Sequence, residues 1–86
     1  MSDKELEGWR CKIDELDHQI LLLLSKRGKI STDIMRWKKA HKQSFLDNSR
    51  ELEILKKLEK KAEQLNLDQS FIYELYDLIL KDSKNK

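Results

Sequence analysis

The sequence has 86 residues, enough for one small domain, and a chain of this size buries only a modest core by itself. Charged residues make up 40% of it and apolar residues 38%, with two glycines, no proline and a net charge of +2; this counts against a turn-rich β architecture and an obligate nucleic-acid binder. The apolar residues recur at regular spacing, which separates the chain from disordered sequences of similar charge content.

The first helical pattern runs from about Lys4 to about His41. Trp9, Ile13, Leu16, Ile20, Leu23, Ile30, Ile34 and Trp37 follow the alternating four-and-three rhythm of one helix face. Gly8 and Gly28 weaken this helix by roughly 1 kcal/mol each against alanine without stopping it. At about 1.5 Å per residue it would span roughly 54 Å, several times the usual length. A break near Gly28, giving a four-helix monomer, is the competing arrangement. The pattern stops at "HKQSFLDNS". Asp47 or Asn48 can cap a second helix, with Glu51 placed for a capping box. That helix carries Leu52, Leu55, Leu58, Ala62 and Leu65 on one face, and its Lys-rich stretch "KKLEKKAEQ" reads as a solvated side. "NLDQS" ends it. Asp68 caps a third helix whose inner face is Phe71 or Ile72, then Leu75, Tyr76, Ile79 and Leu80. Residues 1–86 thus form a single domain of all-α class, three helices with a very long first one.

The second and third helices are each about half the length of the first, so they cannot cover its apolar stripe. An uncovered stripe of Trp, Ile and Leu is an association surface. The simplest closure is an intertwined antiparallel homodimer in which two long helices lie side by side. Trp9, Trp37 and the leucine run then read as core of that assembly.

One member of the stripe is a cation. The position that keeps the rhythm between Leu23 and Ile30 is Arg27, and a guanidinium there must meet an anion or water. Arg27, Ser31, Ile34 and Lys38 follow at spacings of four, three and four, so two cations and a hydroxyl share one side of the helix. Between Lys26 and Lys42 there are seven Lys or Arg and one acid, Asp33. Such a stretch suits an anion. On spacing alone, pairing of Arg27 and Lys38 with glutamates of a neighbouring helix is the plainer reading. Arg10 lies seventeen residues before Arg27, about 25 Å away, so it cannot share a site with it inside one chain. It is either an exposed arginine or a group delivered to the partner's cavity. Asp47, Arg50 and Glu51 occupy the first turn of the second helix, where free N–H groups and the positive dipole end favour an anion.

These residues resemble a known family. "LEGWRCKIDELDHQILLLLSKR" is similar to the opening of the AroQ-class, all-α chorismate mutases: an arginine (Arg10), Ile-x-x-Leu-Asp (Ile13, Leu16, Asp17), a leucine run and a basic pair (Lys26, Arg27). Lys38, then "LDNSRE" and "LILKDS", continue the likeness. The chain departs from the family at Lys84, where an apolar residue is common, and at Ser44, where the loop often has proline. The family's glutamine four residues after its serine would follow Lys86. The resemblance implies an intertwined dimer and carries over roles residue by residue. Arg27 would grip a substrate carboxylate, as would Arg10 from the partner subunit. Lys38 would contact a carboxylate and the ether oxygen. Asp47 and Glu51 would lie near the substrate hydroxyl, Arg50 would support the site, and Ser83 would lie near a carboxylate.

The implied reaction is the pericyclic rearrangement of chorismate to prephenate in aromatic amino-acid biosynthesis, an isomerase activity that needs no metal and no redox cofactor. His18 and His41 have no ligand-like spacing, and Cys11 has no base at a meaningful distance. The expected partners are therefore a small dianionic substrate and a second copy of the chain, with no nucleic acid and no membrane. The opening "MSDKELEG" lacks a signal-peptide pattern, and a lone cysteine fits a reducing compartment, so the expected location is the cytoplasm. Two other readings use the same cations: an isochorismate-pyruvate lyase on this scaffold, and a non-catalytic helical dimer or nucleic-acid-binding module.

Overall fold

The computed structural model describes residues 3–44 and 47–85. It holds three helices, α1 (Asp3–Ala40), α2 (Asn48–Gln64) and α3 (Gln69–Lys84), and no strand among the described residues. The all-α expectation is met, and Gly28 does not break α1. Of the matched stretches, Leu46 of "LDNSRE" lies outside the described residues, as do Phe45, Met1, Ser2 and Lys86.

Each helix end has a local cause. Acidic Asp3 and Glu5 open α1 and basic Lys38 and Lys39 close it, both favourable to the helix dipole. Lys42 then turns left-handed, with φ 54°. Gln43 N–H donates to the Lys38 carbonyl at 2.8 Å and Lys42 N–H to the Lys39 carbonyl at 3.3 Å. These paired bonds form a Schellman stop, here built without glycine. His41 stacks on Trp37 with ring centroids 4.1 Å apart, and its Nδ1 lies 2.8 Å from the Trp37 carbonyl oxygen, which can only accept. Helix α2 ends in the same way. Asn66 has φ 57°, and Leu67 N–H reaches the Ala62 carbonyl at 2.8 Å.

The two capped starts follow the sequence expectation in part. Asp68 Oδ2 accepts from Phe71 N–H at 3.1 Å and caps α3. Asp47, not Asn48, caps α2, its Oδ1 accepting from Arg50 N–H at 3.0 Å. With Asp47 as cap, the third helical residue is Arg50. Glu51 is one position too far along to close a capping box, and its carboxylate goes elsewhere.

By their contacts the residues divide into Met1–Ile30 and Ser31–Lys86, described in turn. In the first, the predicted stripe is open: Trp9, Ile13, Leu16, Ile20 and Leu23 are between 48% and 63% exposed. Arg27 and Gly28 are half-buried. In the second, α2 packs on α3. Among the described residues only Ala62, 3% exposed, is fully removed from solvent. Its small side chain lets the helices approach, with Leu55, Leu58 and Ile72 around it. Tyr76, Ile79 and Leu80 are half-buried on α3. At the rim, Tyr73 donates to Glu59 Oε2 at 3.1 Å, which raises the phenol's pKa. The inner faces differ from expectation at their edges. Leu52, Leu65 and Leu75 are exposed and Ile54 is drawn in; of Phe71 and Ile72, both offered by the sequence, Ile72 is the one taken in. Ala62 centres the contact, and Leu52 falls about a quarter-turn away from its line while Leu55 and Leu58 stay close to it. Ile30, Ile34 and Trp37, which continue the stripe, are about half exposed in the single chain.

Candidate active site

Within residues 31–86 the structure gathers a polar cluster at the open end of the α2–α3 pair. Glu51 stands about three turns before Ala62 and so shares its side of α2. Lys84 closes α3. Because the two helices are antiparallel and nearly equal in length, the first turn of α2 meets the last turn of α3. Lys84 Nζ lies 2.6 Å from Glu51 Oε1, with side chains 36% and 26% exposed. The other ion pairs described here, such as Arg36–Asp33 and Lys81–Asp77, span single turns of one helix and are far more exposed.

Beside Lys84, Ser83 ties α3 to α1. Its hydroxyl donates to the Ile79 carbonyl at 3.0 Å and accepts from Ser31 Oγ at 3.4 Å. Ser31 is the hydroxyl that the four-and-three spacing sets on the same side of α1 as Lys38. Lys38 is half-buried in the last turn of α1, just before the Schellman stop. Ser31, Ser83, Glu51 and Lys84 are thus linked in pairs, and Lys38 shares their half-buried state.

The remaining predicted residues take no part in these pairs. Asp47 is exposed and spends one carboxylate oxygen on its cap. Arg50 points away from Glu51, as neighbours on a helix must, and bonds Glu53 at 3.2 Å. Lys57 joins the same carboxylate at 3.1 Å, and chiefly its hydrogen bond holds the Glu53 carboxyl below the usual range. Arg10 is exposed and pairs with Glu7 at 3.3 Å on its own helix. Arg27, described with residues 3–30, is half-buried.

Lys84 is the residue that sequence reasoning passed over. It registered as a departure from an apolar position, without a partner. The signal was present: two antiparallel helices of 17 and 16 residues joined by a tight turn bring their far ends together.

A cavity of about 420 Å³ lies on the α2–α3 surface beside this pair, lined by Leu55, Leu80 and Tyr73 with Glu51, Glu74, Asp77, Lys81 and Lys84. Three carboxylates face two ammonium groups there. That balance disfavours a dianion within this hollow.

Residues 9–86 match the family described as chorismate mutase type II. The chain is 33% identical over 82 residues to the bifunctional chorismate mutase/prephenate dehydratase of Buchnera aphidicola, covering 95% of this chain and 21% of that protein. It is 30% identical over 82 residues to the protein of the same description from Escherichia coli K12, with the same coverage. A chorismate mutase of Methanocaldococcus jannaschii is 27% identical over 81 residues, covering 94% of this chain and 82% of that protein. The chain spans about a fifth of the length of the bifunctional relatives. A match that begins at Trp9 and takes in all three helices answers the likeness first read from Arg10, Arg27, Lys38 and "LDNSRE": the protein belongs to the chorismate mutase type II family.

Proposed function

We propose that this chain catalyses the rearrangement of chorismate to prephenate, as an intertwined homodimer. The observation that carries the reading is that Arg27, Ser31 and Lys38, which the four-and-three spacing sets on one side of α1, are each half-buried, in a chain matched to the family from residue 9 onward. In the reaction a carbon–oxygen bond breaks while a carbon–carbon bond forms within one molecule, and no proton has to leave. The work is to hold a flexible dianion in its compact conformer and to meet charge growing on the ether oxygen. Arg27 and the partner's Arg10 would clamp the carboxylates, which restricts the conformers. Lys38 would donate to the ether oxygen, whose charge is greatest at the transition state. Glu51 would accept from the ring hydroxyl, with Asp47 nearby. Ser83 would lie at a carboxylate, and Arg50 would support the site through its neighbours.

The open stripe supports the dimer. Full burial of a large apolar side chain is worth about 2 kcal/mol, so half-exposed residues such as Trp9, Ile13 and Trp37 have about 1 kcal/mol each still to gain. Eight of them per chain give about 16 kcal/mol per pair, against about 4–15 kcal/mol for association. The midpoint of the stripe is Leu23. Antiparallel pairing about that point sets Arg10 opposite position 36, between Arg27 and Lys38. Arg10 also has little to lose by moving, since its pairing with Glu7 is an exposed one-turn contact. Among the described residues no helix is long and apolar enough to cross a membrane. A cytoplasmic setting fits that and the single exposed thiol, Cys11.

The test is the loss of chorismate ultraviolet absorbance with purified protein, and identification of the product. Prephenate is expected. Lys38→Ala should retain helicity and lose about 3–4 kcal/mol of transition-state stabilisation, a hundredfold or more in kcat. Near-normal turnover in that variant would remove Lys38 from the chemistry. Pyruvate release from isochorismate, with chorismate left intact, would assign the lyase instead.

A further inference from the structure

We propose that Lys84 is a positioning residue that acts through Glu51, fixing the carboxylate that receives the substrate's ring hydroxyl and so setting the preference for a hydroxyl-bearing substrate; this rests on the reading above. The geometry supplies the reason. Glu51 does not cap α2, because Asp47 does. Its Oε1 is taken by the Lys84 ammonium at 2.6 Å, and among the described residues its side chain makes no other hydrogen bond or ion pair, so Oε2 is left with its lone pairs. A carboxylate with one oxygen anchored and the other available is a directed acceptor.

The anchor itself is held. Ser83, next to Lys84, is bonded both to Ile79 in its own helix and to Ser31 of α1. These contacts link the last turn of α3 to its preceding turn and to α1, and the lysine stem starts from that linked turn. Both side chains are also much less exposed than those of the one-turn pairs elsewhere in the chain, where contacts of this kind contribute little. Charge gives a second reason. An unpaired Glu51 carboxylate facing a dianion would repel it, and an ammonium in direct contact cancels much of that field. With an apolar residue at position 84 the carboxylate would lack both the anchor and the counter-charge.

The test compares chorismate with its methyl ether, in which the ring hydroxyl cannot donate. Wild type, Lys84→Met and Lys84→Arg are assayed for kcat and KM on both substrates, with helicity and sedimentation measured alongside. On chorismate, Lys84→Met should lose about tenfold in kcat, the loss of one charge-assisted contact. On the methyl ether its kcat should stay within about twofold, because that substrate makes no hydroxyl contact to lose. KM should rise for both substrates, which are both dianions. Lys84→Arg should restore most of the kcat on chorismate. In a Glu51→Gln background, replacing Lys84 should change the ratio between the two substrates no further. Equal losses on both substrates, or no loss on either, overturn the proposal. So does a further change of the ratio in the Glu51→Gln background. If Lys84→Met does not fold, Lys84→Gln keeps the stem, removes the charge and is read the same way. Wild type that leaves chorismate untouched defeats the mutase reading, whereas active wild type with an indifferent Lys84 defeats this inference alone.

Discussion

Replacing Leu23 by aspartate tests whether two copies of α1 pair about their midpoint. Leu23 is 63% exposed in the single chain, so the substitution removes no intrachain core. In the antiparallel pair it would lie close to the two-fold axis, opposite its own copy. Burying the open part of two leucines contributes about 2.5 kcal/mol. Two carboxylates about 6 Å apart at an effective dielectric near 20 repel by about 3 kcal/mol. Together the change is about 5 kcal/mol, or nearly four decades in the dimer Kd. Sedimentation equilibrium measures the Kd, and chorismate turnover over a range of protein concentrations reports the assembled site. Activity should fall in step with dimer, and Leu23→Ala should be milder in both. An aspartate variant that still sediments as a full dimer, with wild-type turnover, would refute the pairing and with it the delivery of Arg10 across the interface.

Other outcomes follow from the same contacts. Mixing Arg10→Ala chains with Lys38→Ala chains should restore about a quarter of wild-type activity, since half the dimers are hybrids with one intact site; no recovery on mixing would set Arg10 outside the partner's site. Lys42→Gly should stabilise the fold by about 1 kcal/mol, because Lys42 holds φ 54° where glycine is unstrained, and thermal unfolding should shift upward by several degrees. Glu59→Gln should lower the titration midpoint of Tyr73, followed by phenolate absorbance. The Glu59 carboxylate now accepts the phenol's hydrogen bond and raises its pKa, so whatever that bond adds to stability is present below the ordinary tyrosine range and is lost as the pH climbs through the raised value. An unchanged midpoint would mean that the bond is not formed in solution.

The helices and their stops were readable from neighbouring residues because they depend on bonds within a few positions. The period of Trp9 to Trp37, a cap at Asp47 or Asn48, the cap at Asp68 and the stop at "NLDQS" all act locally, and the open stripe on α1 followed from comparing helix lengths. Arg27 and Lys38 could be singled out because each falls on a defined side of one helix. What could not be read was how α2 is rotated against α3. That rotation brings in Ile54, selects Ile72 over Phe71, turns out Leu52, and sends Glu51 to Lys84 instead of to its own helix end. It is set by the joint packing of both faces around Ala62, and a side chain some thirty residues distant in sequence enters that balance only once the chain has folded. A helix is a local agreement among neighbours, whereas the pairing of Glu51 with Lys84 and of Ser31 with Ser83 is decided by where whole helices come to rest.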